Sequence, residues 1–250
     1  MSALDTAGVA FPLRYVLYSG RPPLDLELTV EADANCVLDV RTGWSLPQSA
    51  PLRLGRFAGR LDPEPFAALV SAAAAAAAAS SRAPSTDPYE SATRLIGAGG
   101  GPLTPVDDED PGAGSFEQWL RTGATALLAT PLAAVDVSAE PVGDSGAAEL
   151  VITAVGTTAQ PILLVEPGTN EWIRLWSDGP QGPQYLEYED IERLVAAGSL
   201  PPGVVELAPG TSLRLPLPGS AAETRRTGGF HFWWVGPGLA RGGLQGDWSL

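Results

Sequence analysis

The chain has 250 residues, 44% of them hydrophobic, which suits one large domain or two small ones with a core of their own. Its 29 acidic residues against 15 basic ones leave a net charge of −14, which argues against nucleic acid and anionic membranes, because both need a positive patch. One Cys and one His leave no intramolecular disulfide and no zinc site of several thiolates.

The 29 Gly and 24 Pro favour turns and short strands over long helices. The N-terminus MSALDTAGVAFPL lacks the basic start and long apolar core of a secretion signal. The alanine run Ala72–Ala79 is too short and too weakly apolar to span a bilayer. A soluble, cytoplasmic protein is expected.

In chain order, Arg14–Tyr18, Leu24–Glu31, Cys36–Val40 and Leu52–Phe57 read as short strands separated by turn residues. In the second, Leu24, Leu26, Leu28 and Val30 alternate with Asp25, Glu27, Thr29 and Glu31, the pattern of a sheet with one wet face. Cys36 reads as a buried, inert thiol. A helix then begins at Asp62-Pro63-Glu64, with Asp62 as cap, Pro63 at the first helical position and Phe66, Leu69 and Val70 on one face. It extends through the alanines to about Ser81. Pro, Gly, Ser and Asp dominate 83–114, which reads as a linker with at most one helical turn near Tyr89–Ile96. Ser115 and Gln118 have capping-box spacing for a short helix carrying Phe116, Trp119 and Leu120.

Beyond Pro131, strands are expected at Val135–Val142, Ala148–Val155, Pro161–Val165 and Trp172–Trp176, then a short helix at Glu189–Ala197 with Gly198 at its C-terminal end. In Val204–Val235 an apolar run meets a turn at Pro209-Gly210, followed by alternating Leu213, Leu215 and Leu217. After a polar break, Phe230, Phe232 and Trp234 oppose His231, Trp233 and Val235. Leu244–Leu250 closes the chain. The expected fold is therefore α+β and all-β: a small sheet-plus-helix domain over 1–82, a Pro/Gly/acidic linker over 83–114, and an Ig-like antiparallel β-sandwich with short helices over 115–250.

Leu207, Pro209 and Gly210, with the aromatic strand after Gly228-Gly229, resemble the penultimate hairpin of bacterial Ig-like domains, including the BsuPI-like intracellular proteinase inhibitors. The Ser19-Gly20 turn, its flanking strands and GRFAGRLDPEPF resemble the small emfourin-type inhibitors. These resemblances imply a sandwich at the C-terminal end, a sheet-plus-helix fold before it, and a bacterial-type accessory protein directed at a proteinase.

No catalytic motif stands out. His231 is the only histidine, no Gly-x-Ser-x-Gly elbow supplies a nucleophile, and a packed strand residue is the plainer reading. Asp107–Asp110 misses the EF-hand pattern at Pro111 and Gln118, and reads as a solvated acidic run. The glycines from Gly97 to Gly101 lack the following Lys of a phosphate loop. No metal and no cofactor are expected.

The aromatics carry the stronger signal. If Ile173 and Leu175 face the core, then Trp172, Arg174 and Trp176 share the outer face of one strand, a composition typical of interaction hot spots. The plainer alternative packs Trp172 and Trp176 under the Glu187–Gly198 helix. The leading expectation is a non-catalytic interaction or regulatory protein that binds a protein partner through Trp172, Arg174, Trp176 and Trp233. Its sharper version is a proteinase-directed inhibitor or effector. A carbohydrate-binding module using Trp172, Trp176 and Trp233 comes second, and an enzyme of unrecognised type third.

Overall fold

The computed structural model describes residues 8–17, 26–43, 51–79, 94–106, 111–143, 147–164, 173–179, 182–218, 227–234 and 242–250. The fold class is α+β and mostly antiparallel β. The chain separates into two compact units: Met1–Val40, Ser45–Pro47 and Arg56–Thr130 form unit 1, and Arg41–Trp44, Gln48–Gly55 and Pro131–Leu250 form unit 2.

In unit 1, β1 (Leu13–Leu17), β2 (Leu26–Val30) and β3 (Asn35–Val40) pair as an antiparallel meander, with Leu28 opposite both Tyr15 and Leu38. The alternation in β2 holds: Leu26, Leu28 and Val30 are fully buried, while Glu27 and Thr29 are half-buried. The second half of β4 (Leu52–Arg60) flanks β3. Helix α1 (Pro63–Ala79) starts at the expected proline and buries Phe66 and Leu69. A further strand, β5 (Arg94–Ala98), pairs with the free edge of β1, and the two-residue β6 (Thr104–Pro105) pairs with β5. Helix α2 (Pro111–Thr122) places Phe116 edge-on to Tyr15 at 4.9 Å between ring centres.

The expected linker over 83–114 therefore differs from the structure. Arg94–Ala98 is a strand where at most a helical turn was expected, because Leu95 and Ile96 are buried by pairing on β1. Arg94 is also tied to Glu117 of α2 at 2.7 Å. Tertiary pairing here overrides a loop-like composition. Helix α2 begins a turn before Ser115, so that residue lies inside the helix and caps nothing. The division into units falls after Thr130, not after 114, because α2 packs on α1 and Tyr15 within unit 1. A 3-10 turn over Ala124–Ala129 had no counterpart in the sequence reading. Asp107–Asp110 lie outside the described residues.

In unit 2, β7 (Pro131–Val142) and β8 (Ala147–Gly156) form a long hairpin. On one side of this hairpin β13 (Ser212–Pro216) pairs with β8, and on the other the first half of β4 lies against β7. Gly55 makes that approach possible: its φ of +124° suits only glycine, and a Cβ there would stand 2.6 Å from the Ala134 Cα. The second sheet has β14 (Thr227–Trp234) at its centre. One edge of β14 pairs with β9 (Gln160–Leu163) and β10 (Arg174–Gly179), the other with β15 (Gly242–Ser249). The hairpin strand β11 (Gly182–Tyr185) pairs with β10, and β12 (Val204–Leu207) with β9. Helix α3 (Tyr188–Ala196) lies between β11 and β12 in sequence and ends at Gly198 in the left-handed region, as expected.

The first two strands after Pro131 share a sheet with β13, and the third joins the last two in the other sheet. That distribution is the immunoglobulin-like arrangement of a β-sandwich. Between the sheets lie Val137, Leu150, Ile152 and Leu215 from one side and Leu175, Phe230, Phe232 and Leu244 from the other, all at most 2% exposed. No helix among the described residues is long and apolar enough to cross a membrane.

Candidate functional site: the outer face of the β10–β14–β15 sheet

Strand alternation decides what this face carries. On β10, Ile173 and Leu175 at 0% exposure and Ser177 at 3% turn inward, so Arg174, Trp176 and Asp178 turn outward. On β14, Phe230 and Phe232 turn inward and stack at 5.6 Å, leaving Gly229, His231 and Trp233 outside. On β15, Leu244 and Trp248 are buried, leaving Gln245, Asp247 and Ser249 outside.

Register then sets these side chains in rows. Tyr185, Trp176, Gly229 and Asp247 are cross-strand neighbours in one row; Arg174, His231 and Gln245 are neighbours in the next; Trp233 and Gly243 follow. The glycines are what let large rings lie down on this sheet. A Cβ at Gly229 would overlap the six-membered ring of Trp176, and one at Gly243 would overlap the His231 imidazole. An outward glycine paired with a large ring is covered by that ring. Trp176 meets Tyr185 at 6.3 Å and His231 meets Trp233 at 4.8 Å between ring centres. Tyr185 is 52% exposed, Arg174 is exposed, and Trp176, His231 and Trp233 are half-buried.

Three of the four residues expected to bind a partner, Arg174, Trp176 and Trp233, therefore share one face. Trp172 lies outside the described residues. The packing of Trp176 comes from Gly229 and Tyr185. Sequence reasoning missed Tyr185, because the hairpin strand Gly182–Tyr185 carries too little apolar alternation to register as a strand. The glycine pair before the aromatic run was the available signal for the flat-lying Trp176.

His231 is held below its ordinary pKa, first by burial and then by the nearby Arg174 cation. Its Nε2 is buried and has no hydrogen-bond partner among the described residues. Both influences favour the neutral imidazole, which presents one N–H donor and one nitrogen acceptor instead of a charge.

At the end of this sheet, where Asp178 and Thr227 meet the last residues of β15, the surface opens into a cleft of about 490 Å³. Ser138, Asp178, Thr227, Asp247 and Ser249 are its polar lining residues, and Val137 and Trp248 are among its apolar ones. The Thr227 hydroxyl donates to the Asp178 carboxylate at 3.1 Å, and the Trp248 indole N–H donates to the Trp176 carbonyl at 3.2 Å. The Asp247 carboxyl is raised above its ordinary value, first by burial and then by repulsion from Asp178. Among the described residues, no three of His, Cys, Asp and Glu gather as a metal site. Compared with protein-family models, curated proteins and solved structures, the chain matches none of them.

Proposed function

We propose that this protein is a non-catalytic interaction module that binds a protein partner through the outer face of the β10–β14–β15 sheet. One observation carries the reading: a single sheet face gathers Tyr185, Trp176, Arg174, His231 and Trp233. Tyr, Trp and Arg are the residue types most enriched at interface hot spots, because they combine a large contact area with a polar handle. The rings are pinned on glycine or on one another, so little side-chain entropy remains to be lost on binding. The sharper version, a proteinase-directed inhibitor or effector in the cytoplasm, rests on the resemblance of the sandwich to BsuPI-like inhibitors.

The carbohydrate reading ranks second on geometry. A sugar stacks on a flat platform, whereas Trp176 and Tyr185 are tilted by 39° and His231 and Trp233 by 54°. The test is a capture experiment with purified chain as bait in native extract, followed by reconstitution with the captured protein. Binding should fall at least tenfold in Tyr185→Ala with folding unchanged. Binding to glycans with no reconstituted protein complex would reverse the ranking, and equal binding by wild type and Tyr185→Ala would remove this face from the account.

A further inference from the structure

We infer that protonation of His231 lifts its ring off Gly243, so that the sheet face holds its partner at neutral pH and releases it in mild acid. The inference rests on the reading of this face as a partner surface, and adds its regulation.

The imidazole has a built seat. His231 pairs with Gln245 and Trp233 with Gly243, so His231 and Gly243 lie diagonally across β14 and β15. The ring covers Gly243 with Nε2 as its nearest atom, and Gly243 is buried although it faces outward. The same ring meets Trp233 at 4.8 Å. A glycine Cα is no hydrogen-bond acceptor, and Nε2 is buried with no hydrogen-bond partner among the described residues.

A neutral ring suits that seat. With its proton on Nδ1, it turns only a bare nitrogen toward Gly243. The cation does not suit it, because both ring nitrogens become donors and the Nε2–H is buried without an acceptor. The neighbours add to this. Arg174 is the cross-strand neighbour on β10. On β15 the neighbour is the uncharged Gln245, with the exposed Asp247 one row away. Strand β9, which pairs with β14 at Trp233, has no titratable side chain. Arg41 is a further cation, next to the Thr42 that bridges Gln245, and Arg241 lies outside the described residues. Trp233 favours the cation through its π face, but the two rings are tilted by 54°. Burial and Arg174 prevail, and hold the His231 pKa below its ordinary value. A ring swung into water satisfies both N–H groups. It also uncovers Gly243 and parts from Trp233, which breaks the aromatic surface between Trp176 and Trp233.

His231 is the only histidine, so NMR follows its titration in the full chain directly. The free chain is titrated from about pH 7.5 to about pH 4.5, reading the imidazole, the Gly243 Hα and the Trp233 indole N–H. The Gly243 and Trp233 signals should move with the His231 midpoint, and that midpoint should lie below 6.5. Gly243 signals that stay in place while the imidazole titrates overturn the inference, because the charged ring then keeps its seat. So does a midpoint at or above 6.5. The protein captured from native extract is then titrated at neutral pH and at one pH unit below the midpoint. Wild type is compared with His231→Phe, whose ring cannot be protonated, and circular dichroism checks the fold of both at each pH. Wild-type affinity should fall about tenfold over the interval, the linkage of one proton excluded from the complex. His231→Phe should lack that component of the fall. An equal fall in the two proteins, or none in wild type, overturns the inference. A chain that captures its partner through Tyr185 and binds it equally at both pH values defeats this inference alone. Unseating in the free chain together with normal capture by Tyr185→Ala removes the sheet face as the partner surface instead.

Discussion

Two outward sheet faces, one in each unit, are finished differently. In unit 1 the face turned away from the helices is closed by ion pairs across strands. Arg14 meets Glu27 at 2.8 Å, and Arg56 grips Asp39 with two bonds of 2.8 Å each. In unit 2 the outer face of the β10–β14–β15 sheet carries tilted aromatic rings, an exposed arginine and two carboxylates with no arginine partner among the described residues. A self-paired face satisfies its charges within the fold. A face of rings and of acids with no arginine partner among the described residues leaves interaction energy available to a second molecule. The contrast separates a surface closed on itself from the one proposed here for recognition.

The largest expected effect breaks the closed face. Asp39 is only 6% exposed, and Asp39→Ala removes both of its bonds to the half-buried Arg56 guanidinium. A loss of about 3 kcal/mol is expected by chemical denaturation, with partner binding by the folded chain unaltered. A smaller loss of about 1–3 kcal/mol is expected for Gly229→Ala, because the new methyl displaces Trp176. Partner affinity should fall with it, since the ring leaves its seat.

Titration sharpens the comparison further. Burial and Arg174 depress the His231 pKa, so the unfolded chain takes up that proton first as pH falls. Stability from the neutral ring is complete above the ordinary value of 6.5 and declines as pH drops through it, until the folded ring also protonates. Replacing His231 with Phe should flatten that decline in denaturation midpoints measured between about pH 5 and 7. Asp247 has the opposite sign. Its folded pKa lies above the unfolded 3.8, so its ionisation costs stability once pH rises through that interval. Asp247→Asn should therefore unfold at a slightly higher temperature than wild type at neutral pH, with the difference vanishing in strong acid. The smallest effect concerns Cys36. Burial pushes its thiol up to about 11, and a thiol-specific reagent should label it only on unfolding.

How much of this was legible depended on the period of each segment. The strands of the sandwich showed because inward aliphatics alternate with polar residues, as in Leu213–Leu215–Leu217 and Phe230–Phe232. Helix α1 was announced by its own first residues. Strand β5 was hidden because its identity comes from the edge of β1, about 80 residues earlier in the chain, and not from Arg94–Ala98 itself. At the candidate site, the outward direction of Arg174 and Trp176 followed from Ile173 and Leu175. The row that joins Tyr185 to Asp247 through Gly229 is a matter of cross-strand register, which no single segment encodes.

The central claim is most directly tested by setting Tyr185→Ala against Arg14→Ala in one quantitative binding assay with the reconstituted partner. Tyr185 belongs to the open face, and Arg14 to the closed one. The account predicts at least a tenfold loss of affinity for Tyr185→Ala with an unchanged melting temperature. It predicts no loss of affinity for Arg14→Ala, with a stability change of roughly 0.2–1 kcal/mol. Equal affinity for the two variants, or a loss confined to Arg14→Ala, would contradict it.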